Sequence, residues 1–132
     1  MSPAQPLRVA VTGVVGDDET GRFMLRAMAE RGLDTSGCRT EPARPTGASV
    51  ILGNGSDRAI LTATGTIGDL RPEDVPDALL RRARHLHVGS VFLQPHLAAG
   101  LAGLFRRARA LGLTTSFDPN WDPSGRWAGH PS

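Results

Sequence analysis

The sequence predicts an α/β chain: a mostly parallel sheet flanked by helices, interrupted by one β-hairpin. Three observations carry this. Short apolar runs rich in β-branched residues alternate with stretches of helical periodicity. The segment from Gly47 to Ala63 is two apolar runs around Asn54-Gly55, a hairpin signal. Two of the predicted strands end in Gly89-Ser90 and Asp118-Pro119-Asn120, at the carboxyl ends where open α/β sheets bind their ligands. The 132 residues suffice for one domain and not obviously for two.

Leu7 to Val15 (LRVAVTGVV) is rich in β-branched residues and reads as a buried strand. Asp17 or Asp18 can cap the helix that follows, where acids favour the N-terminus. Phe23, Met24, Ala27 and Met28 recur at helical spacing, so the helix runs from about Asp18 to Arg31. Cys38 to Thr40 reads as a short strand in an extended, Pro-broken stretch. The hairpin over 47–63 follows and should project from the layer. Pro72, Glu73 and Asp74 open a helix that should continue to about Arg84. His85 to Gly89 is a short strand. Pro95 to Leu111 is one helix with Leu97, Leu101, Leu104, Ala108 and Leu111 along a stripe. Leu113 to Phe117 is a strand, and Asp118-Pro119-Asn120 is its exit loop. The closing residues, GRWAGHPS, supply neither a cap nor a closing element.

Composition excludes several classes. Apolar residues make up 39 %, which suits a globular chain. No apolar run approaches the roughly 20 residues needed to span a bilayer, so no membrane association is expected. The apolar stretch near the start leads into Gly and Asp rather than a cleavage site, so it does not read as a signal peptide. Cys38 is the single cysteine, which points to a reducing cytoplasm. The 15 basic residues are all Arg, yet the net charge is only +2. Arg81, Arg82 and Arg84 form one cluster and Arg106, Arg107 and Arg109 another, almost without interleaved aromatics. They read as solvated helix faces, and no nucleic-acid partner is expected.

Three constellations could carry chemistry. GVVGDDETG places glycines between a strand and a helix, as phosphate loops do. It lacks the Gly-Lys-Ser/Thr of a P-loop, and Asp17 and Asp18 would repel a phosphate, so a capped turn is the better reading. His85 and His87 share one strand face, but no third ligand lies nearby in sequence and His96 falls on the next helix; no metal site is expected. Ser90 follows Gly89 at a strand end and can border a ligand crevice. Asp118 and Asn120 occupy another strand end, where they could orient a ligand or magnesium, or form an Asx turn.

In order, VAVTGVVGDDETGRFMLRAMAERGLDTSG, RPTGASVIL, SDRAIL, RPEDV, HLHVGS and GLTTSFDPNWDPSGRW resemble the PfkB/ribokinase family of carbohydrate kinases over nearly the whole chain. The resemblance implies a partial ribokinase-like fold, with 1–132 an incomplete kinase domain and 47–63 its lid. It implies ATP-dependent phosphorylation of a sugar or sugar-acid hydroxyl, with ATP and magnesium as cofactors. Gly16 and Asp17 match a structural turn near the substrate. Thr46, Gly47, Ala48 and Val50, or Ser49, match the lid over the sugar, and Ser90, from its place at a strand end, is counted with them as substrate-binding. Asp118 and Asn120 match positions near the transferred phosphate and its magnesium. Arg58 sits where lid arginines occur, without an assigned role.

The family's amino-terminal strand with its sugar-binding Asp, its Gly-Gly-x-x-x-Asn segment and its Asp-Thr-x-Gly-Ala-Gly-Asp motif do not occur in this sequence. The last of these would supply the catalytic base, so no catalytic residue is assigned. The chain reads as a segment truncated at both ends, inactive alone and without firm hold on ATP or magnesium. The alternative is a non-catalytic module that binds or forms a homodimer through the lid hairpin. A half-covered parallel sheet predicts marginal stability or aggregation.

Overall fold

The computed structural model describes residues 7–120. The Trp residues after the DPN loop and the GRWAGHPS stretch lie outside them. The chain forms two compact units, Met1–Ile67 and Gly68–Ser132.

In the first unit, β1 (Val14–Gly16) pairs in parallel with β2 (Arg39–Glu41), and α1 (Glu19–Glu30) lies between them in sequence. The strand read from Leu7 is shorter than predicted and is not buried: Leu7 is 60 % exposed and Val9 45 %. Its partner explains this. The segment opposite turns over Thr35 to Cys38, so the ladder breaks into an isolated bridge, Ala10 to Asp34, before resuming at Val14. The helix matches its predicted limits within one residue, capped by Asp18. Of the residues that set its helical spacing, Ala27 and Met28 are partly buried. Phe23 and Met24 face outward, and the buried residue is Gly21.

The hairpin forms as read. β3 (Ala48–Gly53) and β4 (Arg58–Ala63) are antiparallel, with Val50 opposite Leu61 and Ser49 opposite Thr62. Every residue of both strands is exposed.

The second unit holds all the buried apolar side chains among the described residues. Here β5 (His85–Gly89) and β6 (Thr114–Asp118) pair in parallel. The crossover that parallel strands require is supplied by α3 (Pro95–Ala99) and α4 (Leu101–Ala110). Leu80, Val88, Leu97, Leu104, Ala108 and Leu113 form the core. Each large side chain buried there stabilises the unit by about 1.5–3 kcal/mol.

Both long helices of this unit are broken, contrary to expectation. The first divides into a 3-10 turn, Pro72–Asp74, and the single-turn α2 (Asp77–Leu80). Pro76 causes the break. It lacks an N–H, and its ring forces Val75 out of the helical region, to φ −113° and ψ 82°. The second breaks at Gly100, between α3 and α4. A Cβ at Gly100 would overlap the ring of Pro72, so the close approach needs glycine. The Leu97–Leu104–Ala108 stripe survives the break because both pieces face the same core. The arginine clusters also divide: Arg107 turns inward to bond the carbonyls of Pro72 and Val75 and the carboxylate of Asp77 at 2.8–3.0 Å. It ties the broken first helix to α4.

Candidate functional site

In the first unit, the polar chemistry gathers where the hairpin leaves the body. The Asp18 Oδ1 accepts from the Gly21 N–H at 2.8 Å, which caps α1. The same oxygen accepts from the Thr46 hydroxyl at 2.6 Å, and Oδ2 accepts from the Thr46 N–H at 2.9 Å. The Thr46 hydroxyl in turn accepts from the Gly16 N–H at 2.8 Å. These donors, the Thr46 hydroxyl first, hold the Asp18 carboxyl below the usual aspartate range. At the other foot of the hairpin, the Thr66 hydroxyl donates to the Val14 carbonyl and its N–H to the Pro45 carbonyl, both at 2.9 Å. Each foot is thus bonded to β1 through a threonine.

The glycines here are required by space. A Cβ on Gly16 would lie 2.5 Å from the Thr46 nitrogen and 2.7 Å from the Arg44 carbonyl. One on Gly47 would strike the Ile67 side chain and sit 2.8 Å from the Thr64 carbonyl. The turn at Gly16 is a capped helix start, with the Gly21 N–H taken by Asp18 rather than open to a phosphate. Asp17, expected as part of this turn, points to solvent and pairs with Arg22 at 3.0 Å.

Register sorts the hairpin into two faces. Ala48, Val50 and Leu52 share one face with Ala59, Leu61 and Ala63, and it offers no hydrogen bond. Ser49 and Ile51 share the other with Ile60, Thr62 and Arg58. Its hydroxyls, Ser49 and Thr62, bond each other at 2.8 Å. Of the lid residues assigned to substrate, Ala48 and Val50 therefore lie on the purely apolar face and Ser49 on the polar one.

In the second unit, Ser90, Asp118 and Asn120 meet at the carboxyl ends of β5 and β6. The Asn120 amide donates to the Ser90 hydroxyl at 3.1 Å, and the Ser90 N–H donates to the Asp118 carbonyl at 3.0 Å. The Asp118 Oδ1 accepts from the Asn120 N–H at 3.0 Å, closing an Asx turn. Both Ser90 and Asn120 are left-handed, with φ of 59° and 60°, a conformation that Asn tolerates and that is strained for Ser90. Gln94 braces the loop by donating to the Gly89 and Ser90 carbonyls at 3.1 Å. Asp118 offers one exposed carboxylate beside the Asn120 carboxamide. That fits a magnesium ion held mainly by phosphates and water.

The two strand histidines are occupied otherwise. His85 and His87 both bond the Ser116 hydroxyl, at 2.7 Å, and His85 also bonds Thr114 at 2.6 Å. The Cys38 thiol donates to the Val11 carbonyl at 3.3 Å, and burial pushes its pKa up, which makes it a poor nucleophile. Thr66 and Gln94, which local sequence patterns do not single out, and Asp18, legible only as a possible cap, also take part in these hydrogen-bonded clusters.

Parallel strand pairs with polar loops at their carboxyl ends, together with a hairpin anchored by both feet, make an α/β chain, and the solved structures it resembles give it a ribokinase-like fold. The chain belongs to the pfkB family of carbohydrate kinases, whose family model matches residues 5–128. It is 33 % identical over 108 residues to an ATP-dependent ribose-1-phosphate kinase of Halopiger xanaduensis, covering 81 % of this chain and 35 % of that protein. It is 32 % identical over 116 residues to fructokinase-2 of Zea mays, covering 84 % and 34 %. The crystal structure of a PfkB protein from Polaromonas sp. JS666 superposes with a TM-score of 0.80 at 29 % identity, covering 89 % of this chain and 42 % of that one. The chain thus spans about a third of the length of the curated relatives it matches.

Proposed function

We propose that this chain is the sugar-side segment of an ATP-dependent carbohydrate kinase acting on a sugar or sugar acid. The observation that carries the reading is the hairpin held by both feet beside β1, with hydroxyls on one face only. A cover for a polyhydroxylated ligand needs hydrogen-bonding groups toward the ligand. Ser49 and Thr62 supply them, with Ile51 and Ile60 as apolar walls. Thr46 and Gly47 set the cover's base. Ser90 and Gln94 hold the loop that presents Asp118 and Asn120.

Asp118 and Asn120 are the residues that would face the phosphate and hold magnesium. The ion would neutralise charge on the phosphates during transfer. Phosphoryl transfer also needs a base and an anion hole, and no Asp-Thr-x-Gly-Ala-Gly-Asp stretch occurs in this sequence. The isolated chain is therefore expected to show no kinase turnover. A coupled assay for ADP release, run with a panel of sugars and sugar acids, tests this; sugar-dependent turnover would overturn it.

One observation favours a second role. The six-residue apolar face of the hairpin is exposed and suits pairing with a second copy. Light scattering on the purified chain separates the two states: a dimer supports pairing, and a monomer argues against it.

A further inference from the structure

We propose that Asp18 is the latch of the hairpin: beyond capping α1, its carboxylate fixes Thr46 and so sets the base from which β3 rises. An N-cap uses one side-chain oxygen, and serine, threonine or asparagine supplies it as well. Asp18 spends its second oxygen on the Thr46 N–H and shares its first with the Thr46 hydroxyl. That hydroxyl passes the link to the N–H of Gly16, a buried residue at the end of β1. One carboxylate therefore joins the start of a helix, the end of a strand and the foot of the hairpin.

The rest of the hairpin makes this link decisive. Both strands are exposed along their whole length, and a two-stranded ribbon is marginal by itself. Its attitude within the first unit is set at its feet. One foot is held by neutral bonds from Thr66 and the other by charge-assisted bonds to Asp18, the stronger kind. The latch matters for catalysis only if the hairpin covers the sugar as proposed above. Its mechanics are independent of that reading.

Amide-resolved hydrogen exchange on the full chain, without sugar, tests the latch. Asp18→Asn keeps an oxygen for the Gly21 N–H but turns an NH2 toward the Thr46 N–H. Gly21 should stay protected, while Gly16, Thr46 and Thr66 exchange about tenfold faster or more. Thr46→Val leaves the cap untouched and should accelerate Gly16 and Thr66, and Thr46→Ser should restore the wild-type rates. If the Asp18 variant loses the whole unit, the Thr46 pair still reads the bond alone. Unchanged exchange in Asp18→Asn, or equal behaviour of Thr46→Val and Thr46→Ser, overturns the latch. A chain that handles no sugar leaves these outcomes as they are, so the kinase reading fails or stands separately.

Discussion

At the scale of single residues, two positions concentrate the physics. Asp18 is one. Its folded-state pKa lies below the usual aspartate value of 3.8, held down first by the Thr46 hydroxyl, then by the Thr46 and Gly21 N–H groups, with Arg22 nearby. A depressed carboxylate stabilises the fold above its unfolded pKa, and that stability is lost as pH falls through the folded value. The hairpin base should therefore hold across the neutral range and loosen only in acid below the ordinary aspartate range. An NMR pH titration of the Thr46 amide checks this; loosening near neutrality would contradict it. Gly100 is the other position. Alanine is the better helix former, but its methyl would meet the Pro72 ring, so Gly100→Ala should destabilise the second unit by about 1–3 kcal/mol in urea denaturation. The sequence showed the helix stripe on both sides of Gly100 but gave no sign of the break. The reason is a contact with Pro72, far away in sequence. Asp18 was legible as one of two possible caps. Its bond to Thr46 spans 28 residues, and local spacing carries no such information.

At the scale of elements, local signals and tertiary demands part company. The hairpin, α1 and the two strands of the second unit were readable because Asn54-Gly55, the acidic cap and short strand-like runs between turn residues act within a few residues. The helix from Pro72 was overestimated because Pro76 outweighs the favourable residues around it. The strand from Leu7 was overestimated because its apolar run has no continuous partner in the described residues. Within the second unit, α4 anchors the core through Leu104, which is 1 % exposed. Leu104→Ala should cost about 2–5 kcal/mol, read by chemical denaturation. On the hairpin, Val50 and Leu61 face each other on the apolar side. If that face pairs two copies, Val50→Lys with Leu61→Lys should give monomers by light scattering and leave the helical circular dichroism unchanged.

At the scale of the whole molecule, burial among the described residues is lopsided. The second unit carries the core. The first carries exposed Leu7, Val9, Phe23, Met24 and the hairpin, and is held largely by backbone pairing and the bonds around Asp18. That imbalance favours the expectation of marginal stability: hydrogen exchange should find α4 and β5 protected and the hairpin amides open. Family membership is carried by the order of motifs along the chain, from GVVGDDETG through the hairpin to DPN, and by the fold that order produces. The most direct test of the central claim is sugar-dependent ADP release by the purified chain with ATP, magnesium and a panel of sugars and sugar acids. A sugar-side segment without its own base predicts no release above background for any member of the panel. Turnover with one sugar that disappears in Asp118→Asn would contradict that, and would show the chain to be a complete catalyst.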